Sequence, residues 1–195
     1  MSYLSIAELK EYLQITGATE DHILEDCIED AQQQLDDLHA RTYEAAADST
    51  RRFIVGKDTR GPDLYLDEDL CAITSIITNA DNGSGGETLA ASDYYTYPLN
   101  RTPYYKIRIA DSSSKSWDYT YNPEAGITVT GKWAYSLTAP NNVRRACRRL
   151  AAYNYKNRDA QVFDVTALPE MGSIIIPKGI PADVVKLMEP FKRLV

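Results

Sequence analysis

The side chains that most often carry catalysis or bind metals are few and scattered in this sequence. The only two histidines, His22 and His39, fall in one predicted helix, too far apart to share a metal ion. The three cysteines, Cys27, Cys71 and Cys147, form no Cys-x-x-Cys pair. Because metal sites and disulfide frameworks need paired spacings, we expect neither, and we interpret each cysteine as a small buried apolar residue.

Two glycine-containing segments could bind phosphates, but both lack the residues that a phosphate loop requires. Residues 81–86 (Asp-Asn-Gly-Ser-Gly-Gly) are not followed by Gly-Lys-Ser/Thr or by a clear helix, and residues 131–133 (Gly-Lys-Trp) have Trp133 where a phosphate loop has Ser or Thr. Gly-x-Ser-x-Gly and His-Glu-x-x-His motifs are also absent from the sequence. We therefore predict no catalytic residue, no metal and no cofactor, and we expect the protein not to be an enzyme.

Four arginines, Arg144, Arg145, Arg148 and Arg149, could bind nucleic-acid phosphates or pair with acidic residues of this chain or of a neighbouring subunit. The net charge of −7 favours protein pairing, because nucleic-acid binding needs clustered positive charge. Eight of the 14 tyrosines lie between residues 94 and 135. They suit half-buried sheet faces and interfaces; stacking on single-stranded nucleic acid is the alternative.

Charge is distributed unevenly along the chain. Residues 1–48 carry 12 acidic and 2 basic side chains, whereas residues 140–195 carry 5 acidic and 10 basic ones. Such a chain can associate head to tail with copies of itself, although solvated helix faces would give the same pattern. No apolar run approaches the roughly 20 residues that span a bilayer, and no signal peptide is evident. We therefore expect a protein made in the cytoplasm, without a membrane partner.

Hydrophobic periodicity predicts long amphipathic helices at both ends of the chain. A capping box at residues 5–8 begins a short helix. A second helix is predicted over residues 20–41, with Thr19 as its N-cap. On the second helix, a 100° projection separates an apolar face from a face of acidic residues. Pro140 begins a third helix, which runs to residue 158 and carries the arginines on one face.

The intervening residues 49–135 have the composition and alternation of β-strands. Strands are predicted over residues 50–55, 63–66, 73–78, 104–109 and 126–133. The predicted fold class is therefore α+β, a helical core of long amphipathic helices with an inserted antiparallel β-sheet. This core spans residues 1–160, with helices within 5–41 and 140–158.

Residues 161–195 are predicted to form a C-terminal docking arm. A short strand is expected at 172–177 and a helix at 182–189. The apolar side chains Val184, Leu187, Met188 and Phe191 share one face of this helix. We expect the arm to dock on another protein; folding back on its own core is the alternative.

The order of these segments resembles the head-tail connector (adaptor) proteins of tailed bacteriophages and gene-transfer particles. The resemblance rests on residues 4–13 (Leu-Ser-Ile-Ala-Glu-Leu-Lys-Glu-Tyr-Leu), on the helix from Glu20 closed by Arg41-Thr42-Tyr43, and on residues 126–135. That last stretch, Gly-Ile-Thr-Val-Thr-Gly-Lys-Trp-Ala-Tyr, has Ala134 where the family more often has glycine. The third helix, led by Pro140, also fits the family pattern.

This resemblance implies a structural virion protein that forms a homo-oligomeric ring of about twelve copies, a dodecamer. Such a ring connects the portal protein of the capsid to a head-closure or tail-terminator protein and extends the channel through which double-stranded viral DNA passes without sequence recognition. The implied location is the virion, assembled in the host cytoplasm. A head-closure or tail-completion protein of the same particle is the alternative, and a nucleic-acid-binding protein that uses the basic helix is a third interpretation.

A ring requires two different patches on each copy, and the two charged helices could supply them. The candidate subunit-interface residues are Glu25, Glu29, Asp36, Arg145 and Arg149. The resemblance further implies that the C-terminal segment reaches the portal, which makes Val184, Leu187, Met188 and Phe191 the candidate portal-docking residues.

Overall fold

A computed structural model of the chain describes residues 2–158, 165–168, 172–175 and 179–192. Its contacts divide into two compact units: residues 41–138 form a sheet unit, and residues 2–40 together with 139–195 form a helical unit. Both α-helices and antiparallel strands are present, so the α+β prediction is confirmed. The division of the chain differs from the predicted core 1–160 with an arm 161–195, because the last helix packs within the helical unit.

Four α-helices in the described residues make up the helical unit, together with a small hairpin. They are α1 (Ile6–Leu13), α2 (Asp21–His39), α3 (Asn141–Asn157) and α4 (Ala182–Met188), the last followed by a 3-10 turn at Glu189–Phe191. The hairpin consists of β8 (Val165–Leu168) and β9 (Gly172–Ile175). The predicted strand 172–177 thus corresponds to β9, and its last two residues lie outside the described part of the chain.

The capping box at the start of α1 is confirmed. The Ser5 hydroxyl accepts a hydrogen bond from the backbone N–H of Glu8 at 3.3 Å, and the Glu8 carboxylate accepts one from the backbone N–H of Ser5 at 2.9 Å. These two bonds satisfy backbone donors that the first helical turn leaves open. The prediction that Thr19 caps α2 is wrong, because the N-cap position is Glu20 and its side chain makes no capping bond.

The apolar faces of α2 and α3 pack against each other and form the centre of the helical unit. The helix-to-helix core is made of side chains with no exposed surface, including Leu24, Leu35, Val143 and Leu150. Cys147 is also completely buried there, and burial raises the pKa of its thiol to about 12. All three cysteines are free and buried, as predicted.

The sheet unit is one antiparallel sheet of seven strands with β3 at its centre. Its strands are β1 (Ser49–Phe53), β2 (Thr59–Arg60), β3 (Asp63–Thr78), β4 (Glu87–Thr88), β5 (Tyr94–Tyr97), β6 (Tyr104–Ile109) and β7 (Ile127–Trp133). The main order is β1-β7-β3-β6-β5, and the two-residue strands β2 and β4 pair with β3. The 16 residues of β3 are interrupted by register shifts, and such bulges bend a strand.

The segment at residues 126–133 is the buried interior strand β7. A side chain at Gly131 would place its Cβ 2.2 Å from the carbonyl oxygen of Ala72, so this position requires glycine. Trp133 is buried, and its indole N–H donates a hydrogen bond to the Ser49 carbonyl at 3.0 Å. The glycine and the tryptophan of this segment are therefore explained by the packing of β7 between β1 and β3.

Candidate functional site

The outer face of α2 carries five exposed carboxylates without a cationic partner among the described residues. Two pairs of these residues lie one turn apart, and the fifth residue follows about two turns later. The five are Glu25 and Glu29, Asp26 and Asp30, and Asp37. We call these five residues the acidic face. The predicted interface residues Glu25 and Glu29 belong to it, and both are accessible to a partner.

Asp36, a further predicted interface residue, is engaged inside the helical unit. Its side chain is half-buried and accepts a hydrogen bond from the Tyr3 hydroxyl at 2.6 Å. Burial raises the pKa of this carboxyl to about 6, although the hydrogen bond from Tyr3 acts in the opposite direction. The structure therefore separates Asp36 from the acidic face, although all six residues occupy one helix.

The basic face of α3 is largely neutralised by carboxylates of the same unit. The guanidinium of Arg144 lies 2.5 Å from the Glu8 carboxylate, and that of Arg149 lies 2.5 Å from Asp183 at the start of α4. Just beyond α3, Arg158 pairs with Glu20 at 3.0 Å. The charges of α3 thus face α1, α4 and the start of α2, all of them within this chain.

The two remaining arginines of α3 differ in their surroundings. Arg148 lies over the ring of Tyr12, with its guanidinium carbon 5.0 Å from the ring centre, which is the geometry of a cation–π contact. Arg145 is exposed and makes no ion pair with any residue that the structure describes. Of the predicted basic interface residues, Arg145 is therefore accessible and Arg149 is already paired.

The predicted portal-docking residues form an apolar face, but most of that face is covered by the helical unit itself. Val184 and Met188 have no exposed surface and Phe191 is 8 % exposed, while Leu187 is half-buried. The helix α4 packs on α3, which accounts for this burial. A contact with another protein through these side chains stays a prediction, and it would require α4 to leave α3.

The tyrosine-rich strands form a mixed aromatic and charged sheet surface. Tyr95 and Tyr105 are about half exposed, and the Lys106 ammonium lies 4.4 Å from the centre of the Tyr97 ring. Lys106 and Arg108 both pair with Asp63, at 3.2 and 3.4 Å. This pairing removes the basic groove that stacking on single-stranded nucleic acid would need.

One cavity of the sheet unit was not predicted from the sequence. Its volume is about 530 Å³, and its lining includes the buried side chains of Phe53 and Leu66 together with three exposed cations, Arg52, Lys57 and Arg60. We call these three residues the cationic rim. The sequence does contain a signal for this rim, because residues 51–60 have four basic side chains and a single acidic one.

The described residues contain neither a cluster of metal-ligating side chains nor a helix that could span a membrane. Within residues 2–158 and the described segments after them, no three His, Cys, Asp or Glu side chains are grouped so as to hold a metal ion. None of the helices described is long and apolar enough to cross a bilayer.

Comparison with known proteins relates the fold to chains of phage-like particles. No protein-family model and no curated protein matches the sequence. Among solved structures, the chain is similar to one from the neck of an empty gene transfer agent (GTA) particle computed with C6 symmetry, with 20% identity and a TM-score of 0.59 over 99% of this chain and 91% of that one.

Two further solved structures of GTA particles contain chains that are similar to this one. A chain from the virion of a native GTA particle is 18% identical, with a TM-score of 0.60, and the match covers 99% of this chain and 91% of that one. A chain from the neck of a native GTA particle computed with C12 symmetry is 17% identical, with a TM-score of 0.56, over 97% of this chain and 88% of that one. The chain therefore shares its fold with structural components of GTA particles, two of them from the neck.

Proposed function

We propose that this protein is a structural component of the neck of a tailed, phage-like particle, where copies of it form a ring between the capsid and the tail. The observation that carries the proposal is the likeness of the whole fold to neck chains, which extends over 97–99% of this chain. The resemblance of residues 4–43 and 126–158 to head-tail connectors supports the same role from the sequence.

The finer proposal is an adaptor ring of twelve subunits below the portal, through which the viral DNA passes. The twelve-fold symmetry of one matching neck favours this copy number. The acidic face is suited to a conduit or to a subunit contact, because carboxylates repel phosphates and attract cations. In this proposal the protein acts by shape and by repeated contacts and transforms no substrate.

A nucleic-acid-binding role for the basic helix is less well supported. The binding of phosphates depends on cations that are available to exchange their counterions. Arg144 and Arg149 are already paired with carboxylates of the same unit, and Arg148 lies over Tyr12. Contact with the portal through the C-terminal segment stays a prediction, and α4 would have to be released for it.

Cryo-electron microscopy of purified particles tests the proposed function. We expect a closed ring of this chain, coaxial with the portal, at the junction of head and tail, and we expect DNA-filled heads without tails when the gene is deleted. Density for the chain in the capsid shell, in the tail fibres or off the particle axis would overturn the proposal. A ring found one layer further from the portal would instead identify a head-closure or tail-completion protein.

A further inference from the structure

The cationic rim has a charge balance that differs from the rest of the sheet unit. The other cations of this unit are largely paired with nearby carboxylates: Arg41 with Asp69, Arg51 with Asp67 and Glu68, Lys106 and Arg108 with Asp63, Lys115 with Glu87, and Lys132 with Asp48. No such pair forms at Arg52, Lys57 or Arg60 within the part of the chain that the structure describes. Three unpaired cations therefore border one cavity.

The two carboxylates that also line the cavity are engaged elsewhere. Asp58 accepts a hydrogen bond from the backbone N–H of Ile54 at 2.8 Å. Asp67 lies 3.4 Å from the Arg51 guanidinium. Both acidic groups thus accept from donors outside the cationic rim. The three cations outnumber these two carboxylates, so the lining of the cavity stays positive by one charge.

Backbone and aromatic contacts position the rim. Gly83 has a φ of +77°, and a Cβ at this position would lie 2.7 Å from Nε of Arg52, so the absence of a side chain makes room for that arginine. The guanidinium carbon of Arg60 lies 5.8 Å from the centre of the Tyr65 ring. Arginine and tyrosine side chains around buried apolar residues are typical of protein-binding surfaces.

We propose that the cationic rim binds the acidic face of α2 from a second copy of this chain, an inference that rests on the proposed ring. The two surfaces are complementary: the rim offers three cations and the acidic face offers five carboxylates, none of them in an ion pair with a residue that the structure describes. Each copy carries one of each, which is what a head-to-tail interface around a ring requires. Charge complementarity of this kind fixes the partner and the register of an interface.

A protein carboxylate is a better occupant of this cavity than a nucleic-acid phosphate. A duplex presents phosphates along an extended line and is bound by an extended basic surface, whereas the rim is confined to one cavity and neighbouring cations are neutralised. The chain as a whole has a net charge of −7 and would repel a polyanion. An amphipathic helix offers a short acidic row, which fits a local site.

Exchange of the charges between the two surfaces tests the contact. A rim variant carries Lys57→Glu and Arg60→Glu, a helix variant carries Glu25→Lys and Glu29→Lys, and a fourfold variant carries all these changes. Each variant replaces the natural gene in the particle-producing cell, and joined particles are counted by microscopy. A control variant with Arg101→Glu and Lys156→Glu has the same net charge as the rim variant, and it alters exposed cations outside the cavity.

We expect the rim variant and the helix variant each to lower the yield of joined particles at least about tenfold, since like charges then meet at every interface. The fourfold variant restores opposite charges at each interface and should recover joining. Coexpression of the rim and helix variants should also recover joining, because in a ring of alternating copies each rim meets a helix face of opposite charge. The control should resemble the natural chain. Thermal unfolding of each purified variant shows whether the variant folds. If the fourfold variant does not fold, coexpression of the rim and helix variants still tests the contact.

The inference is overturned if the rim and helix variants give joined particles at the natural yield. It is also overturned if both variants lose joining and neither the fourfold variant nor coexpression recovers it. Loss of salt-dependent duplex binding by the rim variant, with normal joining, would assign the rim to nucleic acid instead. If the natural chain forms a neck ring but the exchanges have no effect, this inference fails alone. If the chain is absent from the neck, the proposed function fails with it.

Discussion

The helices α2 and α3 are built alike but use their charges differently. Both have one apolar face in the same core and one charged face. Arg144 and Arg149 of α3 pair with carboxylates of α1 and α4, whereas the acidic face of α2 has no cationic partner among the described residues. Charge on α3 therefore serves the packing of its own unit, and charge on α2 is left for a partner.

This difference shows that a charged helix face is informative about function only after its intrachain partners are known. Exposed ion pairs contribute little to stability, so the fold of the helical unit depends on the apolar faces. If that view is right, substitutions in the shared core should have large effects, and substitutions on either charged face should have small effects on the isolated protein.

The largest effect is expected for the apolar contact that both helices share. Leu150 on α3 has no exposed surface, and Leu150→Ala should lower the free energy of unfolding by about 2–5 kcal/mol, because it removes buried methyl groups and leaves a cavity. Urea denaturation followed by circular dichroism measures the change. Leu137→Ala, at a leucine that is 57% exposed, is the matched control and should change stability by less than about 0.5 kcal/mol. Equal effects would contradict the assignment of the core.

The next effect concerns Asp36, the one predicted interface acid on α2 that is half-buried. Its pKa is raised to about 6, first by burial, whereas an unfolded aspartate has a pKa of about 3.9. The folded chain therefore binds more protons between these values, and its stability falls as the pH rises from about 4 to about 6. Asp36→Asn keeps an acceptor for Tyr3 and should stabilise the protein by on the order of 1 kcal/mol above pH 7.

Thermal unfolding measured across this pH range tests whether the buried carboxylate of Asp36 causes the change in stability. The advantage of Asp36→Asn should shrink as the pH falls and approach zero near about pH 3, where the natural carboxyl is largely protonated in both states. Asp26→Asn, at an exposed acid of the same helix, is the control for the loss of one negative charge. An advantage of Asp36→Asn that is constant with pH would show that the buried carboxylate is not its source.

Local signals were sufficient to predict the helices. The capping box of α1 and the two-faced patterns of α2 and α3 depend on residues only a few positions apart, and the observed helices agree with the predictions within a few residues. The strand pattern was harder to interpret. In β3 the acidic run Asp67-Glu68-Asp69 and the bulges interrupt the alternation, so that one strand of 16 residues was predicted as two short ones. Strand β5 was not predicted at all.

Long-range contacts were the part that the sequence did not reveal. Arg149 pairs with Asp183, which is 34 positions away, and Arg144 pairs with Glu8 across 136 positions. The periodicity of one helix contains no information on such partners. The same limit explains the division into units, because both ends of the chain build the helical unit. The rim cations lie within residues 52–60, but the sequence does not show that Arg51 of the same segment pairs with Asp67 and Glu68 while Arg52, Lys57 and Arg60 border a cavity.

A smaller effect should reveal repulsion within the acidic face. Glu25 and Glu29, and likewise Asp26 and Asp30, are like charges one turn apart, each pair destabilising a helix by about 0.2–0.5 kcal/mol. The double change Glu29→Gln and Asp30→Asn should therefore stabilise the isolated protein by about 0.4–1 kcal/mol at low salt. At 1 M salt, where the screening length is about 3 Å, the gain should nearly vanish. A loss of stability at low salt would mean that these carboxylates have partners inside the chain.

The smallest effect on stability is expected on α3 itself. This helix carries one arginine in an ion pair and one that has no ion pair among the described residues. Arg149 and Arg145 are changed to alanine separately, so that the difference in helix propensity is the same in both variants. Arg149→Ala removes the ion pair with Asp183 and should cost about 0.2–1 kcal/mol relative to Arg145→Ala. The difference should decline with salt, as measured by urea denaturation at low and high ionic strength. If Arg145→Ala were instead the more destabilising change, Arg145 would have a partner within the chain, and its description as an exposed arginine without an ion pair would be wrong.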